Sequence, residues 1–329
     1  MNKGNNFNDI TFISLIKDNE PDTLLLLNYL SKLNIKISHI VADGSKKKQK
    51  YLFDKYRNLE FKYFYFGEDK SYIDLYKKIY FSLKKVKTSY VYFLDQGDYL
   101  NFDALKIFYE ILKKNKEYSC ALGEVYNFKV IKKKIIINSG NLYNYNFYKS
   151  KFAQKRIIKN FISRTYHSLH KTKILKNSLN IICKLSLNEP RSAELIIDFN
   201  NLLNGNVFKS DDIMLIHNAS NNSNEKTSLN AKYKTRKIWF ERFFKYKFNE
   251  ILNILSKINR LNFTKNQIAN IYDHFEKSDI KFNEAQNKFT LLRNIVQKIS
   301  ITYSRNTNLK KFVKFLDGFK RVKGNNHIE

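Results

Sequence analysis

The segment Tyr90-Val91-Tyr92-Phe93-Leu94-Asp95-Gln96-Gly97-Asp98-Tyr99-Leu100 runs from an apolar stretch straight into two carboxylates separated only by Gln and Gly. The apolar part reads as a buried strand, which has no structural need for acids at its carboxyl end. Open α/β sheets bind ligands beyond that end, where a carboxylate can meet a sugar hydroxyl or a divalent ion. Upstream, strand-like runs at Ile10–Ile16, Ile37–Ala42 and Phe61–Phe66 alternate with helical patterns at Asp22–Leu33, Lys46–Tyr56 and Tyr72–Val86. Such alternation predicts βαβ units and a mostly parallel sheet flanked by helices.

Downstream the pattern predicts a helix over Phe102–Lys114 and strands over Ser119–Val130 and Lys133–Asn138, paired as a hairpin or sheet extension. A loop over a cleft is expected from Asn141 to Ile158, a helix over Ala193–Leu203 and a last strand over Val207–Ile216. A polar, low-complexity stretch from Asn218 to Glu225 marks a linker. The expected organisation is a tail over 1–8, one α/β domain over 9–218, a linker over 219–230 and a basic helical region over 231–329. In that last region Trp239, Phe240, Phe243, Phe244, Tyr246 and Phe248 sit among Lys and Arg. Such a mix suits either an anionic membrane surface or packing against the first domain.

The formal charge of +30 is a weak pointer to partners, because Lys and Asn are abundant while Pro, Gly and Trp are scarce, as in a chain drifting toward AT-rich codons. No nucleic-acid partner is expected from charge alone. Cys120 and Cys183 lie in apolar surroundings without metal-ligand spacing and read as reduced thiols. The polar N-terminus does not read as a signal peptide, and no apolar run of the length that spans a bilayer, about 18 residues, occurs. A cytoplasmic protein, peripheral at most on the inner membrane face, is expected.

The loops after the first, second and fourth strands should emerge on one sheet edge, bringing Asp18, Asp43, Asp95 and Asp98 toward one crevice. Acids gathered there repel one another unless they share a cation or accept from hydroxyls. His167 and His170 have the spacing that places both on one face of a helix, but no third residue completes a zinc set. Glu194, near the start of a helix where the dipole favours an anion, is the first candidate for a general base, with Glu189 as the other. Gly123 and Glu124 are candidates to line an acceptor cleft.

These motifs resemble the family 2 type glycosyltransferases of GT-A fold. Val41-Ala42-Asp43-Gly44-Ser45 is similar to their V-D-D-G-S segment, and Phe93 to Leu100 to their F-L-D-x-D-D-Y-L segment. Asn19-Glu20-Pro21-Asp22-Thr23-Leu24 with Asn28-Tyr29-Leu30, Val86 to Val91, and Tyr166 to Thr172 resemble stretches of a bacterial surface-polysaccharide subgroup. The resemblance covers about residues 9 to 218. It implies a Rossmann-like GT-A fold with a helical C-terminal region, a nucleotide-sugar donor, and a glycan, lipid-linked or protein acceptor. It also implies Mg or Mn on Asp95 and Asp98. Asn19, Asp43, Asp95, Arg164, His167 and His170 would then bind the donor, with Asp43 on the base, and Glu194 and Asp98 would be the catalytic carboxylates. Lys171 is a further candidate for the diphosphate charge. Gly97 stands where the family carries a second Asp, so a non-catalytic GT-A-like protein binding a nucleotide or glycan is the alternative.

Overall fold

A computed structural model describes residues 7–33, 36–56, 58–131, 134–138, 147–160, 165–188, 190–218 and 245–271. Strands β1 (Ile10–Ile16), β2 (Ser38–Asp43), β3 (Phe61–Tyr65) and β4 (Tyr90–Phe93) are parallel, with β1 between β2 and β4. They alternate with helices α1 (Glu20–Leu33), α2 (Lys50–Phe53) and α3 (Tyr72–Lys84). Then follow β5 (Tyr99–Leu100), α4 (Phe102–Lys114), β6 (Tyr118–Ile131), β7 (Lys134–Asn138) and α5 (Ala153–Asn160). Next come β8 (Leu169–Lys171), α6 (Thr172–Lys184), α7 (Pro190–Asn204) and β9 (Asn206–Asn218).

The sheet runs β3-β2-β1-β4-β8-β6-β9-β5, with β7 added on β6. β8 is antiparallel to both β4 and β6 and so joins the parallel half to a mixed half in which β6 and β9 are parallel. Every residue of β1 and β4 is buried, as in parallel strands with both sheet faces covered. Phe12 packs against Tyr92 and Phe102 at centroid distances of 6.0 and 5.8 Å. The Tyr29 hydroxyl donates to the Leu100 carbonyl, pinning α1 to β5. Asn101 caps α4 by accepting from Asp103 N and Ala104 N.

Three expectations need correction. The helix over Lys46–Tyr56 contracts to α2, because Asp43 accepts from Ser45 N and Gln49 N and holds the chain between them in a loop. The loop expected to reach Ile158 instead contains α5, whose buried Arg156 donates to the carbonyls of Leu202 and Leu203 in the last turn of α7. Helix α6, to which the sequence reading assigned no element, buries Leu175, Leu179 and Ile182 at helical spacing. The linker at 219–230 and the aromatic cluster from Trp239 to Phe244 lie outside the described residues. Of the C-terminal region, α8 (Lys245–Ile258) buries Ile251, Leu252 and Leu255 in the same core as the sheet. Phe263 meets Phe199 of α7 edge-on at 6.5 Å.

The carboxyl edge of the parallel strands is tied by one lysine. Lys78 of α3 is buried, and its ammonium donates to the Asp69 carboxylate and, at 3.3 Å, to the Ile16 carbonyl at the end of β1. Asp69 N in turn donates to the Gly44 carbonyl after β2, at 2.8 Å. Burial pushes the Lys78 pKa down and the Asp69 pKa up; their attraction, with the charges of Asp43 and Asp95 acting on Lys78, opposes those shifts. One cation thus joins the ends of β1 and β2 and the loop after β3. Removing one partner leaves a buried charge uncompensated. Lys78→Met should therefore cost about 3–5 kcal/mol in denaturant unfolding, with most of it regained in Lys78→Met/Asp69→Asn. A single variant within about 0.5 kcal/mol of wild type would show the tie to be dispensable.

Candidate functional site

Between β4 and β5, Leu94 leads into a four-residue turn, Asp95-Gln96-Gly97-Asp98, closed by Asp98 N donating to Asp95 O at 3.2 Å. Gly97 has φ of +82°, the conformation that the third residue of a type II turn requires and that favours glycine. β5 pairs antiparallel with β9 through Tyr99 and Ile216, so the register sets the next residues, Asp98 and His217, side by side. The contact follows: the buried Asp98 carboxylate accepts at Oδ1 from His217 Nδ1 at 2.8 Å and from Asn218 N at 3.1 Å. Asn218 Nδ2 then reaches Asp22 Oδ1 at 3.0 Å, and Asn19 Nδ2 takes the other Asp22 oxygen at 2.6 Å.

This explains Gly97 in space as well as in conformation. A β-carbon at residue 97 would lie 2.8 Å from Asn218 Nδ2 and 3.1 Å from Asp22 Cγ. The Asp22–Asn218 clasp therefore occupies the place from which a side chain at residue 97 would start. Gln96 adds a second tie, accepting from Lys17 N at 2.6 Å and donating to Lys17 O at 3.3 Å.

Two carboxylate oxygens in this turn, Asp95 Oδ1 and Asp98 Oδ2, are buried without a hydrogen-bond partner. Burial first, then the Asp98 charge, pushes the Asp95 carboxyl up to about 7, with His217 and Lys78 pulling the other way. His217 is held up to about 9, chiefly by the Asp98 charge against the opposing effect of burial. Facing this pair is the segment before β8. The Tyr166 ring stacks on Phe93 at 5.2 Å, and the His167 ring lies 5.8 Å from that of His217. Burial and the His217 charge lower His167 to about 4, while Asp98 and Glu194 pull it upward. Burial raises the Tyr166 pKa well above its ordinary value, and the charges of Asp95, Glu194 and Asp98 add to the shift. The charges of Asp95, Asp98 and Glu194 thus all reach this aromatic-imidazole wall.

No protein-family model and no curated protein sequence matches the chain. Its fold, however, matches solved structures of a GT-A-type glycosyltransferase, S. aureus TarS. The crystal structure of TarS 1–349 superposes with a TM-score of 0.55 at 17% identity, covering 84% of this chain and 73% of that one. The fold is GT-A-like. The same fragment in complex with UDP-GlcNAc gives 0.54 at 15% identity, over 81% of this chain and 71% of that one. A longer TarS structure gives 0.52 at 16% identity over 81% of this chain, which spans only 42% of it.

The GT-A-like sheet gathers some of the sequence candidates and disperses others. Asp95, Asp98, His167 and Glu194 come together, Glu194 from the second turn of α7, which starts at Pro190 rather than at Ala193. Asp43 stands at the end of β2, fully buried, its oxygens accepting from Ser45 N, Gln49 N and the Tyr63 hydroxyl. Asn19 caps α1, with Oδ1 accepting from Asp22 N at 3.3 Å. His167 and His170 do not share a helix: His167 lies in a turn and His170 on β8. His170 is buried, lowered to about 4 by that burial, and contacts the Tyr166 carbonyl and Asn201, so it holds the wall from behind. Lys171 donates to the Lys116 carbonyl. Gly123 is fixed by close approach to the Asp212 carbonyl, and Glu124 accepts from the Tyr126 hydroxyl at 2.7 Å. Arg164 and Glu189 lie outside the described residues.

His217, Asn218, Asp22 and Lys78 were not singled out as site residues. For His217 a signal existed: the apolar run Ile213–Ile216 enters His-Asn as β4 enters its acids.

Gly97→Ala should lower stability by about 1–3 kcal/mol through the left-handed backbone and the clash with the clasp. Gly97→Asp should do at least as much and gain no affinity for Mn²⁺, which denaturant titration and calorimetry would show. For His217, a pKa raised from 6.5 to about 9 means that the folded chain holds the proton more tightly than the unfolded one. Its stabilisation is complete below pH 6.5 and lost as pH rises through about 9. The melting-temperature gap between wild type and His217→Gln should close over that window; a gap constant with pH would refute the pairing with Asp98.

Proposed function

We propose that the protein is a glycosyltransferase that moves a sugar from a nucleotide-sugar donor to an acceptor hydroxyl. The observation that carries this reading is the pair of unpartnered buried oxygens, Asp95 Oδ1 and Asp98 Oδ2, beyond the carboxyl end of a GT-A-like sheet. The UDP-GlcNAc complex of the TarS fragment supports a nucleotide sugar as the donor class. The motif resemblance supports a glycan, lipid-linked or protein acceptor in surface polysaccharide synthesis.

The pair fits a divalent ion of the Mg or Mn kind. Such ions take hard oxygen ligands and are commonly held by one or two carboxylates together with substrate phosphates. Among the described residues no cluster of three or more His, Cys, Asp or Glu forms a complete metal cage, so diphosphate oxygens would complete the shell. A bound ion would supply charge neutralisation for the leaving diphosphate. His217, protonated at neutral pH beside Asp98, is a resident cation for the same charge.

Glu194 is the proposed general base. It takes the proton from the acceptor hydroxyl as the acceptor oxygen bonds to the anomeric carbon. The bond from that carbon to the diphosphate oxygen breaks, and its electron pair leaves with the nucleotide diphosphate. Tyr166 and His167 feel the charge of both the base and the acids. His167, neutral because its pKa is near 4, can donate or accept without adding charge.

Thermal-shift titration with UDP, GDP, CMP and dTDP, each with and without Mn²⁺ or Mg²⁺, identifies the nucleotide and the metal requirement. The expected result is stabilisation by one nucleoside diphosphate, with the metal-dependent part lost in Asp95→Asn. Glu194→Gln should keep donor binding while transfer falls about 10²–10⁴-fold. Transfer undiminished in Asp95→Ala or Glu194→Gln sinks the mechanism. Nucleotide binding with neither donor hydrolysis nor transfer would favour the non-catalytic alternative.

A further inference from the structure

Helix α5 shows outward a face that the site does not use. Phe152, Lys155 and Lys159 are exposed at i, i+3 and i+7, which places them on one side of the helix. Lys151 is exposed next to Phe152, and the ammonium groups of Lys151 and Lys155 lie 5.3 and 5.4 Å from the Phe152 ring centroid. At the other end, Tyr148 N donates to Asn160 Oδ1 and Asn160 Nδ2 donates back to Tyr148 O, at 2.7 and 2.8 Å. This bond pair sets exposed Tyr148 and Lys149 beside the last turn. Phe152 is 54% and Tyr148 48% exposed, among the most exposed large apolar residues described. The stretch Phe147 to Asn160 contains no acid. Its one buried cation, Arg156, is committed to the carbonyls of Ser150, Leu202 and Leu203, which fixes the helix on α7 with four lysines facing out.

The groups meeting this helix from elsewhere leave the positive charge in place. Gln154 takes the Asn262 carbonyl and the Gln267 side chain, both neutral. Among the described residues, Glu117 is an acid whose charge acts on Lys149 at the rim, where Lys149 bonds the Tyr118 hydroxyl.

We propose that this α5 face docks on an anionic lipid bilayer. Two rings at the ends of a lysine row can dip below the headgroups while the ammonium groups stay at phosphate level, their stems lying along the rings. Charge complementarity with acidic lipid supplies the rest of the attraction. A nucleic acid is the less fitting occupant, since the lysines already cover the Phe152 face that a base would stack on. The proposal is independent of the catalytic reading. It also differs from the sequence expectation, which placed membrane contact beyond residue 231.

Co-sedimentation of the full chain with phosphatidylcholine vesicles, with and without phosphatidylglycerol, tests it at physiological salt. Wild type should bind only the anionic vesicles. Tyr148→Ala/Phe152→Ala, which keeps every charge, should weaken binding about tenfold. Lys151→Gln/Lys155→Gln/Lys159→Gln should weaken it about a hundredfold. Phe81→Ala, which removes an equally exposed ring near Lys84 on α3, should change nothing. No binding by wild type overturns the proposal, and ring variants within about twofold of wild type overturn it by assigning the contact to other basic segments. Poly(U) binding with the same losses in the same variants would make the face a general polyanion site and overturn it too. As a check independent of folding, Phe152→Trp in a Trp239→Phe chain should shift its emission to the blue with anionic vesicles; unchanged emission counts against insertion.

Discussion

Asp98 is a carboxylate that the fold has taken out of water, and much of the site geometry follows from how it is satisfied. One oxygen accepts from the imidazole of His217 and the backbone of Asn218. A buried carboxylate with neither would be costly enough to reorganise the turn. Those two bonds fasten the end of β9 to the turn after β4, which lies between the parallel and mixed halves of the sheet. Asn218 carries the connection to Asp22 at the start of α1. The turn is therefore held from both sides, and Gly97 is the residue small and permissive enough to lie beneath the clasp.

The edge also contains its own counter-charges. Lys78 lies under the ends of β1 and β2, and its charge acts on Asp95 as well as on Asp69. His217 does the same from the β9 side. Asp43, whose charge also acts on Lys78, has its oxygens occupied by three hydrogen-bond donors. Acids that look alike in the sequence thus have different environments. Asp43 is a structural acceptor that shapes a loop, while Asp95 and Asp98 each retain an unanswered oxygen.

Local pattern was enough for the parallel half. The bounds of β1 and α4 agree with those read from hydrophobic period and turn residues, since apolar strand and capped helix are determined within a few neighbours. It failed where the cause is distant. α5 is polar at its start and depends on Arg156 reaching carbonyls some 46 residues away in sequence. α2 shrank because one side chain on β2 drew the following amides into a loop. The acid pair was legible because carboxylates after an apolar strand are conspicuous. Its pairing with His217 was not, because the link is made by antiparallel register across the sheet rather than by spacing along the chain.

The composition of the chain invites division just after Asn218, where a polar run follows the last strand. The electrostatics argue against cutting there. Asn218 is the residue whose amide holds Asp98. A polypeptide ending on it would carry a new terminal carboxylate on the residue whose amide donates to Asp98. Its α8 contacts with the core would be gone as well. What looks like a seam in the sequence begins, in three dimensions, at a residue that holds the site together.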